Sequence, residues 1–113
     1  METKKSMNVQ WRRPLKAEFV GSLPPGVQRL ADVRRGARGE VLTVSTDGMD
    51  GVPEAERDEL ERRLLEIGFV EGARLEVLHE GFIGRDPIAV RLDDMRVALR
   101  RREAQGVLVR LDR

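Results

Sequence analysis

His79 is the only histidine in this chain of 113 residues, and Glu76 and Glu80 lie close to it. Imidazole and carboxylate are common transition-metal donors, but a metal needs several of them converging on one point. Neighbouring residues of a strand point to opposite faces, so His79 and Glu80 diverge. They are weak metal candidates, and a structural or surface histidine is the better reading. The chain has no cysteine, which removes thiolate zinc sites, disulfides and cysteine nucleophiles. It has no Walker A motif and no G-x-S-x-G turn, and a single histidine gives triad chemistry little to work with. Asp93 and Asp94 are adjacent, diverge, and read as turn residues. These absences favour a binding module over an enzyme, with no resident cofactor.

Two groups suit recognition. The segment from His79 to Asp86 holds Phe82 and Ile83 between Gly81 and Gly84, with Arg85 beside them. If both apolar side chains are not buried, they can anchor an extended partner segment. The plainer alternative has Phe82 plugging the end of the domain. Arg96, Arg100, Arg101 and Arg102 form a basic cluster suited to an acidic partner face; the plainer alternative is solvated surface. Phe82, Ile83, Arg85, Arg96, Arg100 and Arg101 are therefore the candidate partner-binding residues. Gly68, Gly72, Gly84 and Pro87 are assigned to backbone geometry.

The elements that must position these residues follow from the pattern. Glu40–Val44 is β-branched and short, which predicts a strand. Ser45–Gly51 is a loop. Pro53 opens a helix where its missing N–H costs nothing, and acids crowd the first turns, where the helix dipole favours them. Leu60, Leu64 and Ile67 give one apolar face, widened by Leu65. Asp58 with Arg62, and Glu59 with Arg63, are spaced for i,i+4 ion pairs. Gly68 ends the helix in a conformation that suits glycine, and Phe69 is placed to fold back on the last turn. Strands are predicted over 73–80, 88–92, 95–99 and 107–111, with Leu75, Val77 and His79 on one face of the first. Gly81–Pro87 reads as a loop, and Arg101–Gln105 as one helical turn stopped by Gly106.

The result is a mostly β domain: about five short antiparallel strands with one inserted α-helix. A sheet of this size curls or closes to hide its edges, and a small SH3-like barrel satisfies the pattern. Residues 26–113 form this domain. Residues 1–25 read as a basic, solvated tail; an alternative has it touching acidic lipid headgroups, with Trp11 beside Arg12 and Arg13.

Composition sets further bounds. Lys and Arg number 21 against 20 Asp and Glu, a formal charge of +1. A nucleic-acid binder usually shows a clear basic excess, so that class loses weight. No apolar run approaches the ~18–20 residues that span a bilayer. The N-terminus lacks the apolar core of a signal peptide. The expectation is a cytoplasmic protein, peripheral to a membrane at most.

The ordered set Leu64, Gly68, Phe69, Val70, Gly72, then Gly84, Pro87, Ile88, then Ala98, Leu99, Arg100, Arg101, Glu103, Ala104 resembles the ferrous iron transport protein A (FeoA) family. The resemblance runs from about Leu30 to Leu111. It implies an SH3-like barrel and an accessory role beside a membrane iron permease with a cytoplasmic GTPase domain. It also implies weak transition-metal association, a location at the inner face of the membrane through the partner, and a monomer or weak homo-oligomer. Related SH3-like domains end iron-dependent repressors, so a metal sensor of that kind is the alternative; this sequence shows no helix-turn-helix region. The long basic tail and the long Asp47–Pro53 loop depart from the family pattern.

Overall fold

The computed structural model of the chain describes residues 23–83 and 86–112. In chain order the elements are β1 (Val27–Arg29), a 3-10 turn (Leu30–Asp32), β2 (Arg38–Val44), α1 (Glu54–Ile67), β3 (Arg74–Ile83), β4 (Asp86–Leu92), β5 (Met95–Leu99), α2 (Arg101–Ala104) and β6 (Val107–Leu111). The six strands form one antiparallel sheet in the order β1-β6-β2-β3-β4-β5. The last strand thus lies between the first two, while β1 and β5 are the edges. β1 is the strand that the pattern does not announce, since three residues are too few to show alternation.

The helix begins and ends for the expected reasons. Pro53 precedes it with φ −60°, and its carbonyl accepts from the N–H groups of Glu56 and Arg57, each at 3.0 Å. At the other end Gly68 takes φ 128°. Its N–H donates to the Leu65 carbonyl at 3.1 Å, and the Phe69 N–H donates to the Leu64 carbonyl at 3.0 Å. This is the Schellman arrangement, which satisfies the last helical carbonyls. It delivers Phe69 into the core, where it is fully buried with Leu64. Leu65 does not widen the apolar face; it is 40% exposed. Arg62 pairs with Glu59 and Glu66 rather than Asp58, and Arg63 reaches Glu103 of α2 at 2.9 Å rather than Glu59. The hydrogen bond that Arg62 donates to Glu59 raises the guanidinium above its ordinary pKa.

Two features of β3 differ from the expected alternation. The register slips between Val77, opposite Val90, and His79, opposite Ala89. Leu78 is the extra residue, so His79 turns out to solvent instead of following Leu75 and Val77 inward. The strand also runs on to Ile83, which pairs with Asp86. Where a Gly81–Pro87 loop was expected, β3 and β4 pair as a long hairpin out to Ile83 and Asp86; Gly84 and Arg85 lie outside the described residues. Gly81 permits this close approach, because a Cβ there would stand 2.0 Å from the Asp86 carbonyl oxygen. Phe82 and Ile83 belong to the strand; their side chains lie outside the described part of the structure.

The turn between β4 and β5 is the Asp93-Asp94 pair, with Asp93 at φ 53°. The Asp93 carboxylate accepts the Arg74 N–H at 3.0 Å, and the Asp93 N–H donates to the Arg74 carbonyl at 2.8 Å. These carboxylates serve the turn.

Candidate partner-binding face

Residues in register on an antiparallel sheet point to the same side, with neighbouring strands ~4.7–4.9 Å apart. Arg38, Glu76, Arg91 and Arg96 are successive register partners across β2, β3, β4 and β5. Their neighbours Leu75, Val90 and Leu92 are buried, so this row lies on the outer face. The Glu76 carboxylate is shared, at 3.8 Å from Arg38 and 3.6 Å from Arg91. The next outward positions are small: Ala89 opposite Ala98, with exposed His79 on the far side of Ala89. Beyond them come exposed Pro87 and Arg100. The face is thus a low floor of Ala89 and Ala98 flanked by guanidinium groups, with β5 as its open edge. Among the described residues no ion pair reaches Arg96 or Arg100.

The formal charge of +1 therefore conceals a separation. Among the described residues, Glu76 is the carboxylate that Arg38 and Arg91 share, while the acids Glu40, Asp93 and Asp112 gather at the Arg74 end of the sheet and others crowd the first turns of α1. Arg74, lower on the same sheet, is held by Asp112 at 2.5 Å, and that hydrogen bond raises its pKa. A face of this kind attracts an acidic partner and rejects a basic one.

The structure divides the expected basic cluster. Arg96 and Arg100 are exposed, and so is Arg102. Arg101 is turned inward, its side chain 17% exposed. Its guanidinium donates to the Ala31 carbonyl and faces Glu80 at 3.5 Å, and its backbone N–H donates to the Asp86 carboxylate at 2.7 Å. It thereby links the 3-10 turn to β3 and β4. Sequence reasoning had no signal for this, because the adjacent arginines are identical in type. Arg101→Met is expected to lower stability by about 1–3 kcal/mol, the cost of a buried polar partner lost. Arg100→Met, on the surface, should stay within about 0.5 kcal/mol of the parent. Urea melts of the two variants make the comparison.

Arg29 was also not anticipated. Its guanidinium donates to the carbonyls of Ser45 at 3.2 Å, Gln105 at 2.9 Å and Asp47 at 3.0 Å. It ties β1 to the loop before α1.

The metal candidates do not come together. His79 is exposed on the outer face, while half-buried Glu80 faces Arg101. Among the described residues no three His, Cys, Asp or Glu side chains are placed to hold an ion. A transition metal does not fit the donor set seen here. Among the same residues no helix is long and apolar enough to cross a membrane.

With this geometry in view, comparison with known proteins gives a family. A family model described as "FeoA domain" matches residues 28–111. Among solved structures, FeoA of Chlorobium tepidum is 34% identical, with a TM-score of 0.56, over 74% of this chain and 70% of that one. FeoA of Stenotrophomonas maltophilia, solved with zinc and described as a procaryotic SH3 domain protein, is 29% identical with a TM-score of 0.58. That match covers 73% of this chain and 88% of the other. A manganese-dependent transcriptional repressor in complex with manganese is 27% identical with a TM-score of 0.59, over 80% of this chain but 38% of the repressor. Comparison with curated protein sequences gives no match. The fold is accordingly SH3-like and mostly β, with six strands and two α-helices among the described residues where the sequence pattern led us to expect about five and one.

Proposed function

Because this chain belongs to the FeoA domain family, we propose that it is a non-enzymatic accessory protein of bacterial ferrous iron uptake that docks on the cytoplasmic GTPase part of the iron permease. The observation that carries this reading is the arginine-flanked outer face at the open edge of the sheet. A rigid barrel presents Arg96 and Arg100 on the order of 13 Å apart, from ~3.3 Å rise per residue. Between them lies only the small floor of Ala98 and Ala89. An acidic segment of the GTPase, lying along β5, would meet both guanidinium groups and could add its backbone to the free strand edge. Docking of this kind holds the protein at the inner face of the membrane through its partner.

The test is binding of the purified chain to the GTPase domain of the permease. Arg96→Glu with Arg100→Glu should weaken binding by about tenfold or more, since each reversal sets like charges against each other. Wild-type binding should also fall with added salt, as exposed charge contacts are screened. Native circular dichroism of the variant is the folding control. Undiminished binding by the double reversal would sink this face as the site. Phe82→Asp with Ile83→Asp tests the hairpin end separately; loss there alone would move the contact to the hairpin.

A further inference from the structure

A second concavity lies elsewhere on the molecule. Met49, Val52, Ala55 and Leu60 floor a groove of about 380 Å³ between the loop before α1, the first half of α1, and α2. Its shape is fixed from several sides. Glu61 of α1 accepts from the Thr46 N–H at 3.1 Å and its hydroxyl at 2.7 Å. Arg63 and Glu103 bridge α1 to α2 at 2.9 Å, while Arg29 holds the loop carbonyls. The groove is thus built before anything enters it, which lowers the cost of binding. Its volume falls in the lower part of the ~300–1,000 Å³ range of binding pockets.

Its rim carries Glu56, Glu59 and Glu103 with Arg63 and Arg102, Arg63 being taken up by Glu103, and the chain that forms its loop side and the start of α1 is strongly acidic. Residues 47–59 carry Asp47, Asp50, Glu54, Glu56, Asp58 and Glu59 against Arg57 alone. Residues 1–22 carry Lys4, Lys5, Arg12, Arg13 and Lys16 against Glu2 and Glu18. The same segment holds Trp11, the only tryptophan of the chain, directly before Arg12 and Arg13. An indole followed by two guanidinium groups is complementary to an apolar floor with Glu56 and Glu59 on one side and the acidic stretch 47–59 next to it. Trp11 stands twelve positions before Leu23, where the described chain begins. At ~3.3–3.6 Å per extended residue that is a reach of about 40 Å. Arg29, at the end of short β1, already touches the loop that forms the groove.

We propose that this groove is the docking site for the chain's own basic N-terminal segment, with Trp11 on the apolar floor and Arg12 and Arg13 against the carboxylates of Glu56 and Glu59. The proposal is independent of the iron-permease reading. It rests on a different surface and needs no partner.

Trp11 supplies its own probe, because the chain has one tryptophan and no tyrosine. In the full chain its emission should be blue-shifted and poorly quenched by acrylamide. Ala55→Arg fills the groove, and Glu56→Lys with Glu59→Lys reverses the carboxylates of its rim; all three positions are exposed. Each variant should move emission and quenching toward those of a free indole while circular dichroism stays native. The rim reversal should lower the docked-to-free ratio by about two- to tenfold, the scale of one or two surface ion pairs turned into repulsions. Raising salt from ~0.01 M to ~1 M shortens the Debye length from ~30 Å to ~3 Å and should act in the same direction. Three results would overturn the proposal: a solvent-exposed tryptophan in the wild type, shielding that both variants keep, and shielding that grows with protein concentration, which would place the segment on a second copy. Exposure in solution with shielding only on anionic phosphatidylserine vesicles would also overturn it, in favour of a lipid surface.

Discussion

Phe69→Ala is expected to remove about 3–5 kcal/mol of stability, the range for truncating a buried phenylalanine. Small domains hold only ~5–15 kcal/mol in total, so this variant should be largely unfolded near physiological temperature. Phe69 is fully buried, and it is also the residue whose N–H closes the end of α1 on Leu64. The substitution keeps that hydrogen bond and empties the space behind it. Urea unfolding should show a lower midpoint with an unchanged slope, because the surface exposed on unfolding is nearly the same. Leu65→Ala, four positions earlier and on the solvent side, should shift the midpoint little. Equal midpoints for Phe69→Ala and the parent would mean that the helix end is not packed as described.

Gly39→Ala is expected to be comparably severe for a different reason. Gly39 lies in β2 between Leu111 of β6 and Leu75 of β3. A Cβ there would stand 2.2 Å from the Arg110 carbonyl oxygen and 2.9 Å from the Leu111 Cα. Both obstacles are backbone, so no side-chain rotation relieves the clash, and β6 must move away. Overpacking usually costs about 1–3 kcal/mol, and a backbone obstacle places this case at the upper end or above. Gly36→Ala is the informative control. Gly36 has φ 90° but nothing within 4 Å of an added Cβ, so the substitution should cost only local strain of about 1–2 kcal/mol. Thermal melts of the two variants separate steric exclusion from backbone strain. Similar melting temperatures would remove the argument for close approach at Gly39.

The difference between what the sequence foretells and what the fold adds turns on how far apart the deciding residues lie. The helix between Pro53 and Gly68 was legible because its start and stop depend on neighbours within four positions. So was the role of Phe69, and the Asp93-Asp94 turn. His79 was misplaced because alternation was extended through a bulge, and a bulge is set by the partner strand. Arg101 was grouped with Arg96 and Arg100 because they share a type and a stretch of chain. Its inward turn depends on Ala31, Glu80 and Asp86, which are distant in sequence. The groove floored by Met49, Val52, Ala55 and Leu60 carried no motif at all.

Residue order alone is therefore enough to establish that this chain lacks cysteine chemistry, that it forms a mostly β domain with one capped helix, and which residues face the core along most strands. These follow from local rules: helix capping, positive φ at glycine, and alternation along a strand. That arginines from three strands line up with Glu76 beside a free edge, that an apolar groove forms beside the acidic start of α1, and that Gly39 must remain bare became visible only in the assembled fold. Each of those depends on which strands and helices become neighbours, and long-range burial selects the neighbours, whereas capping and alternation act only along the chain.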